Sequence, residues 1–399
     1  RTGRLMVKGI LDDVTVVELA QDVAGPYGSK LLADQGANVI KVEPISGDTS
    51  RQWGPFPDDC PHLERSLSYA YYNTNKKSVT LTIDSDKGMS LLRRLVVEAD
   101  ILIEDIAPSR KSVYGLEDLS VVKPDLIHVS VTPFGVTGPY RDYAGAEIIY
   151  QAMGGFMHLS GEPDRGPLQI ALNQGQVMAG RNVALSTMAA IYMQTGQFVD
   201  VSIMESVAVQ PPFHILTYTH TGIISGRGLG AGGIDIFGGD YLETKDGHIC
   251  MTTEGRRSWE DLALLLEIPE LSLDQFADPQ DREKHRKALE ELVLPELKEK
   301  DTKELFHKAM REGFVFGMVQ SPQDLLQCEQ LEERGAWSEI EHSELGKLKY
   351  PNPGFNMSAI AIEPDHPAPL LGEHNSAIYT SMLQISPDEL KELKSEGVV

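Results

Sequence analysis

Through the first half of the chain, hydrophobic positions gather into short β-branched runs separated by amphipathic or Gly/Pro-bearing stretches. Val14 to Leu19 reads VTVVEL, AGPYG follows, and residues 29–35 have helical texture before NVIKVE over Asn38–Glu43. Two strands joined through a Gly/Pro turn and a helix predict a βαβ unit with parallel pairing. The scheme repeats. Ser78–Ile83 (SVTLTI) predicts a strand, Lys87–Glu98 an amphipathic helix, and Asp100–Asp105 (DILIED) and Leu126–Val131 (LIHVSV) two more strands. Gln176–Gln194 predicts a helix whose small residues, among them Ala179, Gly180, Ala184 and Ala190, suit close packing against a neighbour; Gln197–Glu205 predicts a further strand. The expected fold class is α/β, with an open Rossmann-type sheet forming a large domain.

The texture changes after about Ile224. Gly226–Gly233 (GRGLGAGG) suits a linker or surface loop, since no Lys or Thr follows at the spacing of a phosphate-binding loop. The run 240–253 predicts a hairpin turning at Lys245-Asp246-Gly247. Ser258 with Asp261, and Asp301 with Glu304, have the spacing of capping boxes, and Ser386-Pro387-Asp388-Glu389 announces a final helix. The expected organisation is a large domain over 1–224, a small α+β domain over 225–325, and a C-terminal segment over 326–399 that returns to the large domain.

Composition narrows the function classes. The 36 Lys+Arg against 59 Asp+Glu give a formal net charge of −23, so nucleic acid and anionic membrane are poor partners for the surface as a whole. Cys60, Cys250 and Cys328 are widely separated and no HExxH occurs, which disfavours a disulfide framework and a metal site. The first predicted strand is not followed by GxGxxG, so NAD is disfavoured. The longest apolar stretch, Val183–Met193, is too short to span a bilayer, and no secretory segment is recognised; a cytoplasmic location is expected.

The motifs in order carry more. They are AGP (24–26), VIKVE (39–43), NTNKKS (73–78), ADILIED (99–105), VSVTPFGVTGPYRD (129–142), GAEIIYQAMGG (145–155), GEPDRGPLQ (161–169), NQGQVMAG (173–180), TGQFVDVSIMES (195–206), TKDG (244–247) and LGEH (371–374). This succession resembles the class III CoA-transferases, the superfamily of formyl-CoA transferase, carnitine CoA-transferase and methylacyl-CoA racemase. The resemblance implies a ring-like protomer interlocked with a second subunit. It also implies transfer of CoA from an acyl-CoA to a small carboxylic acid through an aspartate nucleophile. That aspartate stands four residues before the glycine of a small-Gly pair, here Ala179-Gly180, and the position holds Gln176. A carboxylate is nucleophilic while ionised and leaves readily from an acyl anhydride; a carboxamide is neutral and cannot carry that cycle.

Other positions depart in the same direction. The racemases' Gly-His-Asp segment is Gly145-Ala146-Glu147 here, leaving Glu147, and Asp142 nearby, as weak alternative acids. Positions where the resemblance places basic residues hold Pro44, Val113 and Thr132, and the usual Asn is Asp105, expected to repel the phosphates of CoA. By the same resemblance a degenerate CoA site would be formed by Val23, Ala24, Leu81, Asp105, Ile106 and Ala107. Lys76, Lys77, Arg110 and Lys111 are possible surface compensators. Tyr140, Tyr143, Phe156 and Met157 suggest, at most, an aromatic acid. The expected role is therefore a non-catalytic subunit of a heteromeric class III CoA-transferase, with a paralogous partner supplying the aspartate and acids such as benzylsuccinate as substrates. The alternatives are a homodimeric CoA-thioester isomerase, hydratase or racemase-like enzyme using another acid, and a CoA-thioester-binding protein without turnover.

Overall fold

The computed structural model describes residues 9–116, 119–161, 164–227, 241–252, 257–360 and 364–399. The chain forms two compact units: residues 1–160, 166–224 and 333–399 make one, and residues 161–165 and 225–332 the other.

The first unit is built on a six-stranded sheet of β1 (Thr15–Leu19), β2 (Asn38–Glu43), β3 (Lys76–Thr80), β4 (Ile101–Glu104), β5 (Ile127–Thr132) and β6 (Gln197–Ser202). All neighbours pair in parallel and the order is β3-β2-β1-β4-β5-β6, that of a doubly wound open α/β sheet. Both faces are covered, which explains the nearly continuous hydrophobic strands. Val17, Ile40, Val79 and Leu102 enter one core, with Leu92, Leu95, Tyr379 and Leu390; Val16, Val39, Ile101 and Val129 enter the other, with Leu32, Ala179 and Val183.

Three boundaries differ from expectation, one of them at β6, which ends at Ser202 because the Ser202 side chain caps a helix over Ile203–Ala208. The first helix begins at Ala24 and runs to Ala33, so AGP is its first turn and not a preceding loop. Pro26 is accommodated there because N–H groups in the first turn have no intrahelical acceptor to lose. β3 begins at Lys76 and ends at Thr80, earlier than the hydrophobic run suggests. Its outer edge is sealed by the C-terminal chain: Thr80 N–H donates to Asn375 Oδ1 at 2.8 Å, Tyr379 Oη–H donates to the Thr80 carbonyl at 2.7 Å, and Ser78 accepts from His374 N–H at 2.9 Å. The LGEH segment thus closes an edge strand that would otherwise present unpaired backbone.

The small-residue helix spans Gln174–Met193 and packs tightly on helix Ala24–Ala33. A Cβ on Gly28 would meet Val183 at 2.6 Å and one on Gly180 would meet the Ala24 carbonyl at 2.8 Å, so close backbone approach requires glycine at both positions.

In the second unit β7 (Tyr241–Glu243), β8 (His248–Thr252) and β9 (Val315–Met318) form an antiparallel sheet, with the expected turn closed by Thr244 N–H to the Gly247 carbonyl at 2.9 Å. Ser258 and Asp261 make both arms of a capping box; Asp301 caps through Glu304 N–H, but the reciprocal arm is absent. Most of the expected Gly226–Gly233 loop lies outside the described residues.

Candidate functional site

In a sheet of order 3-2-1-4-5-6 the crevice opens between β1 and β4, beyond their carboxyl ends. The loops there carry Val23 and Ala24 after β1, and Asp105, Ile106 and Ala107 after β4. Gln21 N–H donates to Asp105 Oδ2 at 2.9 Å and ties the two loops together. The structure therefore brings five of the six expected cofactor-binding residues to one place. Leu81 lies at the end of β3, two strands from β1, and its side chain is sealed in the core, as are those of Val23 and Ala24. These three can offer a ligand only backbone groups.

On the β2–β3 side of β1 lies a buried ion network. Lys41 Nζ lies 2.6 Å from both Glu18 Oε1 and Asp48 Oδ2 and donates to the Ala20 carbonyl at 2.9 Å. Lys76 Nζ reaches Glu18 Oε2 at 2.7 Å, and Arg51 grips Glu43 through Nε and Nη2 at 2.7 and 2.9 Å. Burial alone would raise Glu18, but Lys41 and Lys76 outweigh it and hold the carboxyl at about 2. Burial brings Lys76 down to about 8 despite Glu18.

This corrects two expectations. Lys76 is a buried structural cation, and Lys111 is likewise buried, its Nζ 2.7 Å from Glu104 Oε1; neither is a solvated compensator. Lys77 and Arg110 are exposed, donating to Asn38 and Asp84. Asp105 does not simply add repulsion: burial first, and then Glu104, Asp22 and Asp48, push its carboxyl up to about 8 against the Gln21 hydrogen bond. A protonated Asp105 is neutral at pH 7 and can donate as an Asn amide does. Pro44 is half-buried at the end of β2, Val113 is 75 % exposed, and the Thr132 hydroxyl is buried without a partner, so none offers a cation.

Gln176 lies in the first turn of helix Gln174–Met193, 9 % exposed. Asn173 at the N-cap makes no side-chain bond, and the cap comes from elsewhere. Glu147, at the start of helix Glu147–Met153, accepts from Gly175 N–H at 2.7 Å and Gln176 N–H at 3.2 Å, and from Gln151 Nε2 at 2.7 Å. The carboxylate of Glu147 is thereby held as an interhelical cap, placed where a helix favours negative charge. Asp142 is also engaged, by Ser109 N–H at 3.0 Å and Arg141 Nε at 3.1 Å. Neither expected alternative acid is free. The Gln176 carboxamide makes no hydrogen bond among the described residues.

Two tyrosines lie within electrostatic reach of Glu147. Tyr150 is buried, and burial followed by Asp22, Glu147 and Asp105 raises its phenol well above the ordinary range. Tyr72 is pushed up to about 12 by burial, then by Tyr27 and Glu147. Both groups stay neutral donors at pH 7. Tyr140 and Tyr143 stack at 5.3 Å but are exposed, while Phe156 and Met157 are half-buried. Sequence reasoning missed Asp22, Gln151 and Tyr150; the Glu147–Gln151 spacing of one helical turn was the available signal.

Residues 11–375 match the family profile described as CoA-transferase family III. The chain belongs to that family. It is 33 % identical to the succinyl-CoA–D-citramalate CoA-transferase of Chloroflexus aurantiacus, over 98 % of each chain. It is 28 % identical to human succinyl-CoA:glutarate CoA-transferase, over 98 % of this chain and 90 % of the relative. It is 29 % identical to subunit BbsE of the succinyl-CoA:(R)-benzylsuccinate CoA-transferase of Thauera aromatica, over 91 % and 92 %. Among solved structures, a CAIB/BAIF family protein from Brucella suis superposes with a TM-score of 0.86 at 29 % identity, covering 94 % of this chain and all of that one. As a family III chain it presents a site with an amide at 176. Among its described residues, no group of three His, Cys, Asp or Glu side chains is placed to hold a metal, and no helix is long and apolar enough to cross a membrane.

Proposed function

We propose that this chain is the non-nucleophilic subunit of a heteromeric family III CoA-transferase, and that a paralogous subunit supplies the attacking carboxylate. The observation that carries the reading is the state of the Gln176 site. The side chain at 176 is a neutral amide, and Glu147 beside it already accepts three hydrogen bonds. A group so engaged cannot attack a thioester without uncapping its helix. Two relatives support a subunit role by their names: BbsE, and the alpha subunit of the succinyl-CoA–L-malate CoA-transferase of Chloroflexus aurantiacus, 29 % identical over 98 % of this chain.

In this reading the acyl donor is succinyl-CoA, because it recurs in the names of the relatives, and the acceptor is a small carboxylic acid. Asp105 in its protonated form keeps the crevice after β4 compatible with a CoA thioester, and the neutral Tyr72 and Tyr150 near Glu147 supply hydrogen-bond donors to an acid.

The test is to express the chain alone and together with a paralogue bearing Asp at the position of Gln176, and to assay CoA transfer from succinyl-CoA to citramalate, glutarate and benzylsuccinate. Activity is expected only from the pair. Full activity from the chain alone would contradict the proposal. Gln176→Asp alone is expected to yield little acyl or CoA adduct by intact-mass measurement, because the new carboxylate faces Glu147; Gln176→Asp with Glu147→Gln is expected to yield more.

A further inference from the structure

The open edge of the large sheet carries a second polar cavity. β6 pairs only with β5, and the chain between them passes through helix Gln174–Met193, which packs on the Val129 and Val131 face. By strand alternation His128 and Ser130 project from the other face. There a cavity of about 470 Å³ is lined by Lys111, Leu116, Leu126, His128, Arg141 and Phe198, among others. Small-molecule sites commonly occupy roughly 300–1,000 Å³. The cavity lies across the sheet from Gln176, and its Glu104 adjoins the loop after β4.

Its polar wall is organised by Glu104, which is fully buried. Oε1 accepts from Lys111 Nζ at 2.7 Å and lies 3.1 Å from His128 Nε2, while Oε2 accepts from Ile106 N–H at 2.7 Å. Lys111 also donates to Ser130 Oγ at 2.6 Å and sits 5.0 Å from the Phe198 ring centroid. Lys111 and His128 are 7 % and 9 % exposed, so both are built into the wall. An ammonium has three N–H groups, and two of those on Lys111 are used. A carboxylate can only accept, so the proton of a neutral His128 lies on Nε2, and Nδ1 has no hydrogen-bond partner among the described residues.

Glu104 cancels the charge of Lys111. Lys111 keeps one N–H free of these bonds, beside the apolar surface of Leu116, Leu126 and Phe198. The other charged groups around the ring are already engaged. Arg141 pairs with Asp142 at 3.1 Å, and Asp200 on β6 accepts from Val136 N–H at 3.1 Å.

We propose that this cavity binds a small carboxylate with an aromatic or aliphatic body, between Lys111 and His128. The test follows the histidine ring resonances of the full chain, with His128 assigned by its loss in His128→Gln, during titration with benzoate and with benzamide. Benzoate is expected to shift the His128 signals saturably. Benzamide, of the same shape without the charge, is expected to bind at least about tenfold more weakly. The paired variant Glu104→Gln with Lys111→Met, neutral and close in volume, is expected to lose the preference for benzoate. If that variant does not fold, the wild-type titration decides alone. Benzoate binding that leaves the His128 signals unmoved, equal affinity for benzamide, or no binding at millimolar benzoate would overturn the proposal.

Discussion

Between β1 and β3 every buried carboxylate has a cation; among the described residues Asp105 and Glu147 have none. Glu18 and Asp48 share Lys41, Glu18 also takes Lys76, and Glu43 holds Arg51. Asp105 accepts one backbone N–H and lies among other acids, and Glu147 is satisfied by two backbone N–H groups and an amide. The first region holds the sheet to its loops, where losing one partner strands a charge out of water. The second borders the crevice, where a carboxylate can be neutralised by a proton or absorbed into a helix cap. A substitution in the second region can therefore leave the first intact, as with the amide at 176.

The sharpest way to break this contrast is Lys41→Met, which leaves Glu18 and Asp48 buried without their shared cation. It is expected to cost about 3–5 kcal/mol in urea or thermal unfolding; a cost under about 1 kcal/mol would mean that the network does not hold the fold.

Asp105→Asn should act in the opposite sense. The carboxyl has an ordinary value of 3.8 and about 8 in the folded chain, so the folded state holds a proton that the unfolded state releases. Its contribution to stability is complete below the unfolded value and is lost as pH rises through about 8. The Asn variant is expected to be more stable than the parent near pH 8, by about 1–3 kcal/mol, and to flatten the decline in stability between about pH 5 and pH 8. An unchanged pH profile would show that Asp105 is ionised after all.

Glu147→Ala should have the smallest effect on stability, about 1–2 kcal/mol, through loss of the cap on helix Gln174–Met193. Faster amide exchange should be confined to Gly175 and Gln176 and their neighbours; uniform loss of protection would assign Glu147 a wider role.

Much of this contrast was legible in the sequence, but unevenly. The β-branched runs disclosed the strands because residues buried on both faces must be apolar, and the order of motifs located Gln176. The start of the first helix was not legible, because AGP reads as a turn until one sees that Pro26 occupies a helical position with no hydrogen bond to lose. Lys76 and Lys111 stand in polar runs that look like solvated surface, and their partners Glu18 and Glu104 come from other elements. The role of Glu147 depends on a contact with a helix that begins far along the chain, and no local spacing encodes it. The charge state of Asp105 is set by burial and by three neighbouring acids, only one of which adjoins it in sequence.

In the proposed assembly Gln176 marks a subunit whose catalytic carboxylate lies in a partner. Intact-mass spectrometry of the complex with an Asp-bearing paralogue, quenched during turnover with succinyl-CoA, tests it most directly. An acyl or CoA adduct is expected on the partner and none on this chain. An adduct on this chain, at Glu147 or any other carboxylate, would contradict it.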